Sequence, residues 1–316
     1  MGAAVDKSSA PAVRSAPNAK LGKWLVVGPP LVYLLLFFAI PTLIMVLASF
    51  RTPGEFGGLA PLFDEAGKLD LNLESYTRFF TESVYAEVFL KSFWYALLTT
   101  LLCLALAYPL AALIAKSPKR HRNLLLLLVI LPFWSNFLIR IYAWMIILGP
   151  QAVVARTVNA LLATLGREPV SLLFSSFAVL ICLVYVHLPF MVLPLYANLE
   201  KHDPTLLDAA QDLGADAWQR FWRITFPLSL PGVYAGAALV FIPAFGIFAI
   251  PDILGGPDDS LIGNVIKQQF LETRDWPFGS VLSIVLTVVA LALAGFAAWV
   301  GRRSLGNPSS AKGADA

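Results

Sequence analysis

The stretch Leu207–Pro231, LDAAQDLGADAWQRFWRITFPLSLP, is a charge-bearing, amphipathic segment set between two long apolar ones. Just ahead of it, Asp203 followed by Pro204 reads as a helix N-cap with proline at the first helical position. Gly214 is suited to a left-handed C-terminal cap and marks where that first helix ends. Asp216 is then placed to cap a second short helix, which carries Trp218, Phe221 and Trp222. A compact polar knob of this kind on a membrane body is expected to dock a partner.

The flanking sequence supplies the membrane body. At 58% hydrophobic and 14% charged, against about 45–50% and about 25% in soluble domains, the chain reads as an integral membrane protein. Six windows are long and nearly free of charge: Trp24–Phe50, Ser92–Ala115, Leu124–Leu148, Val170–Leu199, Ile224–Pro251 and Trp276–Gly301. Each exceeds the roughly 20 residues a helix needs to cross about 30 Å of hydrocarbon. Lipid offers no partner to an unpaired backbone amide, and the windows lack the alternation of barrel strands. The expected fold class is therefore an all-α membrane protein with about six transmembrane helices.

Orientation follows from the basic residues. Lys7, Arg14, Lys20, Lys23, Lys116, Lys119, Arg120, Arg122, Lys201, Arg220, Arg223, Arg302, Arg303 and Lys312 are most of the 23 lysines and arginines. All fall on one side if the N-terminus is inside, so the positive-inside rule predicts both termini cytoplasmic, together with the loop at 202–227. Residues 1–22, rich in Ala, Ser and Pro, read as a disordered cytoplasmic tail, 23–303 as the transmembrane domain and 304–316 as a second tail. The apolar run after residue 23 exceeds the 7–15 residues of a signal-peptide core and reads as an uncleaved first span.

Several chemistries have no support. The chain has no G-x-x-x-x-G-K-[ST] loop to cradle nucleotide phosphates, no G-x-S-x-G, no H-E-x-x-H and no paired cysteine motif. No catalytic residue, metal site or nucleic-acid partner is expected, and any ATPase that drives the chain must be another polypeptide. Cys103 and Cys182 fall inside spans without neighbours at ligand spacing. His187, within the fourth window, is weighed as a proton-relay group against a neutral, hydrogen-bonded imidazole, and the second reading is preferred because no carboxylate, lysine or arginine shares its span to form a relay. Prolines at 41, 109, 132, 189, 194 and 243 lie within spans and permit bending there.

With these residues in view, the segment around Gly214 resembles the cytoplasmic EAA loop of permease subunits from ABC-type importers. The family pattern is Glu-Ala-Ala, three residues, Gly, nine residues, Ile, one residue, Leu-Pro. Asp208, Ala209, Ala210, Gly214, Ile224 and Pro227 fill it at the right spacings, with Asp208 in place of the usual Glu and Phe226 in place of the usual Leu. Three further runs look like those of spermidine and putrescine importer permeases: LPFWSNFLIRIYAWMIILGP at 131–150, YVHLPFMVLPLYANLEKHDP at 185–204, and IPDILGGPDDSLIGNVIKQQFLETRDWPFGS at 250–280.

The resemblance implies a type I importer (MetI-like) permease fold in a bacterial inner membrane. It implies a second permease subunit, either a paralogue or a copy of this chain, a pair of cytoplasmic ATPases that hold ATP and Mg²⁺, and a periplasmic substrate-binding protein. It implies an ATPase-coupling role for the six pattern residues. Other cargo carried by related permeases (iron, a phosphonate or an opine) is the alternative, and a secondary transporter is a more distant one.

A polyamine path calls for carboxylates and aromatic faces, for which the outer-half candidates are Tyr142, Trp144, Phe245 and Asp252, with Arg140 the one charged residue inside the third window. Asp252 and Arg140 are open to a second reading, as a structural ion pair, and Tyr142 and Trp144 as interfacial anchors. Position 247 is Ile where an acid is expected in some relatives, and the acidic 51–88 loop is a candidate surface for the binding protein.

Overall fold

The computed structural model describes residues 19–61, 63 and 71–304. The chain divides into two compact units, with the boundary between Ala48 and Ser49. The first unit holds helix α1 (Ala19–Leu34), a π-helical turn (Leu35–Ala39) and all but the last residue of α2 (Ile40–Ser49). Helix therefore begins within the expected N-terminal tail, at residues 19–22; the rest of that tail and residues 305–316 lie outside the described residues. Pro41 closely follows the π-helical turn inside this continuous helical stretch, a place where helices accommodate proline.

The second unit holds α3 (Glu74–Thr81), α4 (Ser83–Lys116), α5 (Lys119–Ile130), α6 (Phe137–Leu148), α7 (Val153–Thr164), α8 (Ser176–Leu199), α9 (Thr205–Asp212), α10 (Ala217–Arg220), α11 (Phe226–Phe245), α12 (Ala249–Leu254), α13 (Ile262–Leu271) and α14 (Trp276–Ser304). No strand occurs among the described residues, and six helical stretches there are long and apolar enough to cross a membrane.

Several of the expected windows have different bounds, the second, fourth and third among them. The second is part of a longer helix: α4 has 34 residues, about 51 Å at 1.5 Å per residue, so Glu87 of the expected 51–88 loop is helical. The fourth becomes helical only at Ser176, where Ser175 accepts a hydrogen bond from the Ala178 amide.

The third window, 124–148, is not one helix. A 3₁₀ turn at Leu131–Trp134 ends α5, Ser135 is extended, and Asn136 starts α6 by accepting the Leu138 amide at 2.8 Å. Neither 12-residue helix spans the hydrocarbon alone, since each is about 18 Å long. The apolar stretch that qualifies as a span is instead Phe137–Thr164, formed by α6 and α7.

The core is α4, α8 and α11. Cys103, Ala107, Ala111 and Ile114 recur at helical spacing on α4 and are fully buried against Met191, Val192 and Leu195 of α8 and Val240 of α11. Small residues let the backbones approach closely, which is how helices associate where lipid cancels the hydrophobic drive. Gly236 shows how close: a β-carbon there would come within 2.6 Å of the Met191 sulfur. A second cluster joins α6, α8 and α12 through Ile141, Cys182, Leu183 and Ile250.

At the start of α14, Asp275 accepts the Phe278 amide as its N-cap and also pairs with Arg78 at 3.2 Å. The Arg78 guanidinium lies 4.3 Å from the Phe278 ring, which holds α3 to α14.

Candidate functional site: a capped helix pair and the α12–α13 face

Helices α9 and α10 are built by local chemistry. Asp203 Oδ1 accepts the Thr205 amide at 3.0 Å, and this bond holds its exposed carboxyl below the usual carboxylate range. At the other end of α9 the Gly214 amide donates to Gln211 O at 2.9 Å and the Ala215 amide to Ala210 O at 3.0 Å, the two bonds of a Schellman cap. The cap requires left-handed backbone at Gly214, which has φ +82°. Asp216 Oδ1 then accepts the Gln219 amide at 2.7 Å and starts α10. The Arg220 guanidinium donates to Gln211 Oε1, tying α10 back to α9.

The pair leads into α11 without a break. A π-helical turn, Phe221–Thr225, connects them and Pro227 occupies the first turn of α11. Phe221 packs edge-on against Tyr108 of α4, whose hydroxyl pairs with Ser229 Oγ at 2.9 Å. Asp208, Ala209, Gly214 and Pro227 are exposed and Ala210 and Ile224 half-buried. Leu213 and Trp218 are 89% and 70% exposed, so apolar side chains crown the knob. Trp222 folds back on Phe226, and Trp218 lies edge-on to Trp222. A cleft of about 1000 Å³, lined by Pro109, Ala112, Leu207 and Phe221 among others, opens between the C-terminal half of α4 and the pair.

The five residues proposed for a substrate path are not brought together. Arg140 does not pair with Asp252: its guanidinium lies over Phe133 at 5.4 Å and Phe137 at 5.8 Å, and its Nε has no hydrogen-bond partner. Trp144 packs edge-on against Tyr185, and Tyr142, on the opposite side of α6, is half-exposed. Phe245 is buried among Phe89, Phe93 and Phe241, which leaves no face of its ring for a ligand in this conformation.

Asp252 does not end the fifth span. That helix stops at Gly246, and Asp252 belongs to the separate α12, where it pairs with Lys267 of α13 at 2.8 Å. His187 is buried, with Nδ1 at 2.8 Å from Leu183 O, as the structural reading of an intramembrane imidazole requires.

Two features escaped the sequence. Asp259 is buried and accepts Ser176 Oγ at 2.6 Å, Tyr95 OH at 2.9 Å and the Gly256 amide at 2.9 Å, joining α8, α4 and the loop before α13. Burial alone would raise its pKa, but these bonds and the charge of Lys91 outweigh burial and hold it below the usual range. The other is Lys267, the single lysine between α11 and α14, whose only sequence signal is its isolation among acids.

Residues 107–305 match the model of a protein family described as binding-protein-dependent transport system inner membrane component, a segment that runs from the C-terminal third of α4 through α9, α10 and α14. The chain belongs to that family.

This inner membrane component is 46% identical over 259 residues to the spermidine/putrescine transport system permease protein PotB of Escherichia coli K12, covering 81% of its own length and 90% of the relative's. It is 43% identical to the protein of the same name in Haemophilus influenzae, covering 83% and 87%. Its fold matches a chain in the crystal structure of a bacterial alginate ABC transporter in complex with an alginate pentasaccharide-bound periplasmic protein, with a TM-score of 0.69 at 19% identity, covering 90% and 95%. The component is a multi-pass bacterial inner-membrane permease.

Proposed function

We propose that this protein is the permease subunit of an ATP-driven ABC importer of the polyamines spermidine and putrescine, driven through α9 and α10 by a separate pair of cytoplasmic ATPases. The observation that carries the cargo is the likeness, along most of the chain, to permeases named for those two compounds. The coupling role is supported by the exposed, doubly capped helix pair that leads directly into α11.

ATP and Mg²⁺ bind the ATPases, and this chain contributes the surface that senses their closure. The caps at Asp203, Gly214 and Asp216, with the Arg220–Gln211 bond, make the pair stiff enough to pass on a displacement. That displacement enters α11 through Phe221–Thr225 and reaches α8, against which α11 packs at Gly236. A second permease completes the path, a periplasmic binding protein delivers the cargo, and both termini lie with α9 and α10 in the cytoplasm.

The test is ATP-dependent uptake of radiolabelled putrescine and spermidine into proteoliposomes that hold this chain with its co-purified subunits and binding protein. Uptake of either compound that stops without ATP is expected. A co-purified ATPase that hydrolyses ATP in step with the binding protein yet moves neither compound would overturn the cargo.

A further inference from the structure

Between α11 and α14 the chain folds into α12 and α13, at the end of α11 opposite the α9–α10 pair. There Lys267 Nζ reaches Asp252 Oδ2 at 2.8 Å, while Asn264 Nδ2 lies 3.4 Å from Asp252 Oδ1 and donates to Phe248 O at 3.0 Å. These side chains line a cavity of about 590 Å³ together with Gln268, Glu272 and Phe174. That volume lies in the range of small-ligand sites. Phe174, 60% exposed, is held at φ +54° above the glycine loop, where a β-carbon on Gly256 would come within 2.8 Å of its carbonyl oxygen.

Carboxylates that only accept, amides that can do either, and an open aromatic face together recognise an alkylammonium group. The cavity already holds one. A lysine side chain is a primary ammonium on a four-carbon stem, which is putrescine with one amine exchanged for the backbone. The Asp252 hydrogen bond, and the charges of Asp252 and Glu272, hold Lys267 above the usual lysine range, so it is charged at every working pH.

We infer that the α12–α13 cavity is a binding station for a primary polyamine, in which Lys267 is a tethered occupant of Asp252 that the cargo's ammonium displaces. The inference rests on the polyamine reading above. Exchange of one primary ammonium for another keeps the Asp252 carboxylate paired before and after, and the displaced Lys267 ammonium, being partly exposed, is left to water. The pair is also easily opened, because Asp252 and Lys267 side chains remain 41% and 28% exposed and ion pairs of that exposure are weakly held. Lys267 therefore makes the station low in affinity, as a point of passage requires.

The complete transporter in nanodiscs, without binding protein or nucleotide, is titrated with radiolabelled putrescine as wild type, Lys267→Met, Lys267→Arg and Lys267→Met/Asp252→Asn. Lys267→Gln stands in for the methionine variant if that one does not assemble. Removing the tethered ammonium is expected to tighten binding about fivefold, the worth of a half-exposed ion pair. Lys267→Arg should bind as wild type does, and Asp252→Asn should erase the gain.

Unchanged affinity in Lys267→Met, or a gain that survives Asp252→Asn, overturns the station, the second because it marks a general charge effect rather than a shared carboxylate. Uptake by the wild-type complex is measured alongside. Normal putrescine uptake with unchanged binding removes the station alone, whereas no uptake of either polyamine removes the cargo as well.

Discussion

Asp259 takes hydrogen bonds from three elements, and replacing it with alanine strands the Ser176 hydroxyl, the Tyr95 hydroxyl and the Gly256 amide together. Donors left unpaired in a buried site cost about 1–3 kcal/mol each, so a loss on the order of 3 kcal/mol is expected, read as a lower Tm in detergent. The carboxyl is held below its ordinary value, so its contribution is fully present above about pH 4, the unfolded value. It drains away as pH falls through the lower folded value. Tm measured against pH should therefore fall on the acid side in wild type and change less in Asp259→Asn; equal slopes would contradict this account. The sequence offers two adjacent aspartates in GGPDDS. Which one turns inward depends on Tyr95 and Ser176, 164 and 83 residues away, and no local pattern carries that information.

At the scale of the element, α9 and α10 were legible because everything that shapes them is local. Asp203, Gly214 and Asp216 each act within three or four residues, and the chain shows their chemistry directly. Gly214 is the sharpest test. A β-carbon there meets nothing within 4 Å, so a substitution acts through the backbone alone. Left-handed backbone costs an L-residue about 1–2 kcal/mol, more when it is β-branched. Gly214→Val is expected to insert and assemble normally, to stop ATP-driven uptake, and to lose stimulation of the ATPase by the loaded binding protein; full uptake in this variant would rule out the coupling role. The break in the third window was not legible. Pro132 is visible, but α4, α8 and α11 run through Pro109, Pro189, Pro194 and Pro243 without stopping, so proline does not decide. Ser135 and the Asn136 cap do, and hydropathy is blind to both.

For the molecule as a whole, the expected orientation rests on where the basic residues fall, and labelling can test it. Cys103 and Cys182 are buried and give little background. A cysteine in place of the 89%-exposed Leu213 should react with a membrane-impermeant maleimide in inverted vesicles and not in intact cells. Labelling of intact cells would turn the chain over and remove α9 and α10 from the ATPases' reach. The number of spans, though not the place of the third, was readable from composition because bilayer thickness fixes their length. The tight centre of α4, α8 and α11 was not, since small residues look alike in hydropathy whether they face lipid or another helix.

Helix α11, with 20 residues or about 30 Å, is as long as the hydrocarbon is thick, and it carries the α9–α10 pair at one end and the α12–α13 cavity at the other. On the proposed function, two compartments then share one mechanical coordinate. Binding free energies around a closed cycle must balance, so if nucleotide on the ATPases weakens putrescine at the cavity by some factor, putrescine weakens nucleotide by the same factor. A substitution along α11 that dulls one of these responses is bound to dull the other equally.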